Sequence, residues 1–376
     1  MAPLFFDNGS SVIQLLSSYL SYSLLFLTGP IGSLLFGKIC DKIQRSKVIV
    51  FSVVLNSLFV LLTGLIPTYQ TIGIYAYILL MFVRIIRGVI SGIEYAGALI
   101  YNYENCSQTA KSSAWVISSG CIGGSFAAVL CFLSCKFSIY DFSWRIPYII
   151  GGIICVFIIP YCWKIQDQPK YTLQESNTFF FKEILTSYKT ETIVGIAICA
   201  LYTSVSYSSM IFGANLVKEL GFHISNGILF SSINLMFTSI SIYLFGKLSD
   251  VIGTLQQIRL SIILISILIY PLCWIISEKS NIISVVLYMF FTTLLSSLIG
   301  SCSGIFIIQL FPRKFRYSSF ILIDSIGTAI GSLTPFMMLL LSNHYGKLIG
   351  YSSWIVIMVL SAAISLLLLL KKTNNK

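Results

Sequence analysis

The pentapeptide Gly246-Lys247-Leu248-Ser249-Asp250 repeats an earlier one, Gly37-Lys38-Ile39-Cys40-Asp41, at an offset of 209 residues. Each follows a long apolar run and leads into the next. Gly92 and Gly300 open small-residue stretches 208 residues apart, and Gly124 and Gly331, each midway along an apolar run, lie 207 apart. One shared period at three separate landmarks marks an internal duplication.

The apolar runs carrying these landmarks number eleven: 12–36, 48–67, 73–101, 112–135, 146–163, 191–217, 225–246, 258–277, 282–310, 317–342 and 348–370. Crossing a bilayer takes about 20 apolar residues. Of the 376 residues, 56% are hydrophobic and 10% charged, with a mean hydropathy of +0.89. A soluble fold buries at most roughly three quarters of its surface, which excludes a soluble enzyme, a disordered regulator and a secreted disulfide scaffold. Membrane β-strands alternate in polarity over about 10 residues, whereas 364–370 is almost unbroken aliphatic sequence. The fold class is therefore an all-α membrane protein, a bundle of 11 transmembrane helices.

The offset spans six runs, an even number, so both copies keep one orientation and are related by an axis along the membrane normal. This predicts pseudo-symmetric halves of five and six helices: 1–164, then a linker over 165–190, then 191–370 and a tail over 371–376. Run 191–217 has no earlier counterpart. Shifted back by 209 it falls at −18 to 8, so the leading half is expected to lack its opening helix.

The net charge of +11 is unevenly spread. Seventeen of the 24 Lys and Arg lie in the loops after runs 1, 3, 5, 7 and 9 and in the tail, five lie in the alternate loops, and Arg84 and Arg87 lie inside run 3. The positive-inside rule puts the first set in the cytoplasm, with the N-terminus outside and the C-terminus inside. The basic excess thus reports topology, and no nucleic-acid partner is expected. Ten scattered cysteines form no C-x-x-C pair, and His223 and His344 are the only histidines. No disulfide framework, metal site, nucleotide loop or other cofactor is expected. The opening MAPLFFDNGSS has no basic n-region, so no cleavable signal peptide is expected.

A charge in the bilayer core costs about 2.5–3.5 kcal/mol on insertion scales. Arg84, Arg87, Glu94 and Asp324 are the deep ones. Arg87 and Glu94 sit seven residues apart on one helix face, about 10 Å along the axis. They either grip a zwitterion or carboxylate, with Glu94 taking an ammonium or a proton, or hold the helix in a network. Arg84 lies nearer the outer end and can face an outer vestibule. Asp324 has no basic residue within a turn, which suits a group that exchanges a proton or one that hydrogen-bonds to nearby Ser or Thr. Tyr202 and Tyr207 can box a quaternary ammonium or simply pack. Asp41 and Asp250 stand where helices begin, where a carboxylate is favoured, and Lys42 and Arg45 can bridge to a neighbouring helix. Gly88 with Gly92, Gly120 with Gly124, Gly300 with Gly304 and Gly327 with Gly331 have the spacing of close helix packing. Phe179-Phe180-Phe181-Lys182-Glu183-Ile184-Leu185 reads as a short interfacial helix.

Several of these segments resemble the metabolite:proton symporters of the major facilitator superfamily. Arg84, Arg87-Gly88 and Gly92-Ile93-Glu94, followed by Glu104 and Lys111, are similar to that family's fourth-helix signature. Trp144-Arg145-Ile146-Pro147-Tyr148 resembles its W-R-I-P-F, and Asp167-Gln168-Pro169-Lys170-Tyr171 its E-x-P-x-F. Phe311-Pro312 with Arg316, and 331–335, resemble its F-P-x-x-x-R and G-G-x-x-P. Gly29, Gln44, Thr254 and Gln309 depart from the family pattern, and the missing helix is the family's first.

The resemblance implies a secondary active transporter, no enzyme, working as a monomer in a bacterial inner membrane. It would move a small polar solute (proline or betaine, or an organic acid) together with a proton, by alternating access. It also implies that Asp41, Lys42, Arg45 and Asp250 latch a cytoplasmic gate. Two rivals stay open: an inactive, truncated relative, and a membrane enzyme or receptor. The second would require a catalytic cluster or ligand domain, and neither is found.

Overall fold

A computed structural model describes residues 11–43, 45–105, 109–137, 143–164, 184, 186–278, 281–313 and 316–374. These residues form helices and no strand. The helices are α1 (Ser11–Leu27), α2 (Gly29–Lys42), α3 (Arg45–Leu65), α4 (Tyr69–Ile72), α5 (Ile74–Asn105), α6 (Ala110–Phe137) and α7 (Ile146–Cys162). There follow α8 (Lys189–Tyr207), α9 (Gly213–Glu219), α10 (Ile224–Ile252), α11 (Thr254–Glu278), α12 (Ile282–Leu310), α13 (Arg316–Ser332), α14 (Thr334–Tyr345) and α15 (Lys347–Asn374). Ten spans are long and apolar enough to cross a membrane, and α7 is a shorter apolar helix. They coincide with the eleven runs read from the sequence.

Three of those runs are interrupted, two at a proline and one where side chains of other helices reach in. Pro30 lacks the amide that would continue a ladder from α1 into α2, and Thr28 at the break donates through Oγ1 to Ile85 O of α5 at 3.2 Å. Pro335 begins α14 after α13 ends at Ser332. A π-helical turn, Ser208–Phe212, separates α8 from α9. Ser209 there donates to Met289 O at 3.0 Å, receives Asn234 Nδ2 at 2.7 Å and lies 2.8 Å from Thr293 Oγ1. His223 caps the N-terminus of α10, accepting from Ser225 N, and Asn281 forms a capping box with Ser284 on α12. Both are structural tasks.

The duplication is visible in the packing. Helix α3 packs on α5 and α7 as α11 packs on α12 and α15. Across the halves, α6 packs on α10 while its repeat mate α13 packs on α1 and α2, the reciprocal pairing that a twofold axis requires. The hydrogen bonds agree. Ser125 Oγ donates to Ser232 O at 2.9 Å, and Ser232 Oγ donates to Ser125 O at 3.1 Å. Shifted by 207 and 209, these residues become Ser332 and Ser23, and Ser23 Oγ donates to Ser332 O at 2.8 Å. Helix α8 packs on α12, α13 and α15, and no described helix joins α5, α6 and α7 in the corresponding place. Accordingly α6 lies in the least buried of the ten spans.

Small residues allow the tightest of these contacts. A Cβ added at Gly327 would stand 2.9 Å from Ile196 O, and one at Gly331 3.0 Å from Ala200 O, both on α8. Gly120, by contrast, has nothing within 4 Å and is no part of a packing stripe, because α6 turns that face away from its neighbours. Gly331→Val is expected to force α8 and α13 apart at a cost of about 1–3 kcal/mol. Thermal unfolding in detergent checks this: a lowered midpoint is expected, and an unchanged one contradicts the contact.

Candidate functional site

Between the two sets of helices lies a cavity of about 280 Å³. Phe26 and Gly29 (α1, α2), Ser91, Gly92 and Tyr95 (α5) and Ile117 (α6) line one side. Tyr202, Thr203, Ser206 and Tyr207 (α8) with Asp324, Ser325 and Thr328 (α13) line the other. Gly300 of α12 leaves room for the Tyr202 ring, whose Cδ2 would be 2.9 Å from an added Cβ. The rings of Tyr22, Phe26 and Tyr207 form a contiguous group, with centroids 5.3–5.8 Å apart.

Among the described residues Asp324 is the one charged side chain of this lining. Cys199 Sγ points at its Oδ1 from 3.8 Å, and among the described residues no basic group lies within ion-pair distance of it. The structure thus places Asp324, Tyr202 and Tyr207, which the sequence singled out separately, in one cavity lining. It adds Tyr95, Ser206 and Thr328, which sequence reasoning missed. Tyr95 sits one position beyond Glu94, so a helix turns it about 100° away onto the cavity face.

Arg84, Arg87 and Glu94 are not in the cavity lining. Arg84 hydrogen-bonds Ser21 Oγ of α1, and Glu94 Oε2 accepts from Asn56 Nδ2 of α3 at 2.8 Å. Among the described residues Arg87 and Glu94 form no direct ion pair, and Arg87 Nε is buried without a hydrogen-bond partner. This polar cluster lies on the side of α5 turned toward α1 and α3. Among the described residues no group of His, Cys, Asp and Glu is placed to hold a metal ion.

At the ends that the charge pattern assigns to the cytoplasm, the halves are tied together. Contrary to expectation, Asp250 does not begin the following helix but lies in the last turn of α10, where it accepts from the Ala110 and Lys111 amides at 2.7 and 3.2 Å and so serves the N-terminus of α6 instead. Arg316 at the start of α13 pairs with Glu104 at the end of α5 at 3.5 Å and lies over the Tyr103 ring. Tyr317 OH donates to Ile93 O at 2.7 Å. The Glu104–Arg316 pair was missed because the two lie 212 positions apart. The side chains of Asp41, Lys42 and Arg45 lie outside the described residues, as does most of 179–185. Asp250→Ala is expected to remove the cap, worth about 1–2 kcal/mol. Amide exchange at Ala110 and Lys111 should then rise roughly 5- to 30-fold, and unchanged protection there contradicts the role.

The family model described as Major Facilitator Superfamily matches residues 6–335. The Proline/betaine transporter of Escherichia coli (strain K12) is 27% identical over 363 residues, covering 89% of this chain and 71% of that one. The Citrate-proton symporter of Klebsiella pneumoniae is 25% identical over 369 residues, covering 94% and 82%. Among solved structures, the proton:xylose symporter XylE bound to 6-bromo-6-deoxy-D-glucose superposes with a TM-score of 0.74 at 13% identity, over 98% of this chain and 89% of that one. That last likeness concerns the fold.

Proposed function

From the premise that this chain belongs to the major facilitator superfamily, we infer that it is a secondary active transporter that moves a small polar solute with a proton by alternating access. The solute class we favour is a zwitterion of the proline or betaine kind, with small organic acids as the neighbouring possibility. The protein would act as a monomer in a bacterial inner membrane, N-terminus outside. No feature of the cavity favours an enzyme or a receptor.

The observation that carries this reading is the position of Asp324 in the cavity between the halves. A lone carboxylate there cannot hold a permanent charge cheaply, and binding and releasing a proton is its natural chemistry. The aromatic walls formed by Phe26, Tyr95, Tyr202 and Tyr207 suit an ammonium or a pyrrolidine ring. Rocking the two halves against each other around this site would open the cavity to either side in turn. The ties at Asp250 and between Glu104 and Arg316 would hold the cytoplasmic side shut meanwhile. Arg84, Arg87 and Glu94 would set the shape of the leading half and contribute to coupling from behind the cavity wall.

Reconstitution in proteoliposomes tests the function. With the outside made acidic, labelled proline or glycine betaine is expected to accumulate above its external concentration, and a protonophore to abolish this. Absence of proton-driven uptake for every zwitterion and organic acid tried would overturn the proposal.

A further inference from the structure

We propose that Asp324 makes the cavity respond to the charge of its occupant. A solute bearing a carboxylate binds together with a proton, whereas a small organic cation lacking one binds in the proton's place. This rests on the reading of the cavity as the solute site, and it extends the set of ligands to plain alkylammonium ions.

Among the described residues the cavity lining holds a single charged group, Asp324, and no basic side chain. A solute carboxylate entering it would meet an ionised Asp324 in a poorly hydrated space, where like charges repel strongly. Once Asp324 carries a proton, its O–H can donate a hydrogen bond to that carboxylate, and the repulsion is gone. Meanwhile the aromatic rings accommodate the positive end of a zwitterion. A tetraalkylammonium ion presents the opposite case. The same rings attract it, and an ionised Asp324 is its natural counter-charge, so its binding expels the proton. By linkage, whatever binds one protonation state better shifts the proton, and the proton shifts it equally.

Among the described residues, the titratable groups that face Asp324 directly are thiols and phenols. From α8, Cys199, Tyr202 and Tyr207 face Asp324, and Tyr95 does so from α5. Cys121 of α6 and Tyr22 of α1 stand next to those tyrosines. None of these carries charge near neutral pH. Helices α2, α12 and α14 add no acidic or basic side chain to the lining among the described residues. The charged cluster of Arg84, Arg87 and Glu94 lies on another face of α5 and makes its hydrogen bonds to Ser21 and Asn56.

The experiment uses the full chain in detergent, weakly buffered, with a pH-indicating dye and calorimetry in parallel. Glycine betaine is expected to take up protons on binding, its affinity falling up to about tenfold per pH unit on raising the pH. Tetramethylammonium is expected to release protons, its affinity rising by a comparable factor. In D324N both proton signals should vanish. Calorimetric binding with the same proton sign for the two ligands, or with none for either, overturns the proposal, as does failure of both to bind. These outcomes need no transport. Opposite proton signs without proteoliposome uptake would sink only the transporter reading, and uptake without opposite signs would sink only this one.

Discussion

Asp324→Asn is expected to leave downhill entry of glycine betaine in proteoliposomes measurable while abolishing its accumulation against a gradient. The amide keeps the size of the side chain and mimics the neutral acid, so the cavity can still admit a carboxylate-bearing solute. It carries no exchangeable proton, so a pH gradient no longer has a handle on the solute. One pH unit of gradient is worth about 1.4 kcal/mol, which with one proton per solute supports roughly tenfold accumulation. The variant should therefore lose about that factor and settle at equal concentrations inside and out. Uptake by D324N that still concentrates the solute would remove Asp324 from the coupling. Tyr202→Phe serves as a control on the cavity wall, since it retains the ring and should retain accumulation.

The second large effect is expected at the tie between Glu104 and Arg316. The Glu104 side chain is only 2% exposed and that of Arg316 15%, so the pair is nearly sealed from water. Removing one partner of a buried pair takes away much of the other's charge compensation and costs about 3–5 kcal/mol. In the proposed transport cycle a cheaper escape than unfolding is available, because the same groups would reach water when the cytoplasmic side opens. Arg316→Ala should thus shift the population toward the inward-open form by two orders of magnitude or more. Deuterium exchange should quicken together at the start of α13, the end of α5 and the N-terminus of α6. The double variant E104Q/R316A should recover most of the lost protection, as a mutual pair requires. Independent, additive effects of the two changes would contradict the tie.

Much of the fold was legible because lipid imposes it. Backbone groups in hydrocarbon must be satisfied within a helix, so length and apolarity located the spans, and glycine offsets located the duplication. Ser23, Ser125, Ser232 and Ser332 were in plain view in the sequence, yet their pairing needed the helices to be docked. The breaks at Thr28 and Ser332 follow from Pro30 and Pro335, but the π turn at Ser208–Phe212 follows from tertiary hydrogen bonds to Met289 and Asn234 and leaves no local mark.

The site was less legible. Deep charge pointed equally to Arg84, Arg87, Glu94 and Asp324, since the cost of burial is the same whichever way a helix face turns. Only the docking of α13 against α5 and α8 separates the carboxylate in the cavity from the cluster behind its wall. Gly120 shows the converse: its spacing matched Gly124, but a helix face that meets no neighbour gives small residues nothing to pack.

The most direct test follows external pH in a weakly buffered suspension of wild-type proteoliposomes, with no gradient imposed, as glycine betaine or proline is added outside. The expected result is a transient alkalinisation as protons enter with the solute, absent in D324N vesicles. Solute entry with the external pH unchanged, or with protons moving outward, would contradict proton-linked transport through the Asp324 cavity.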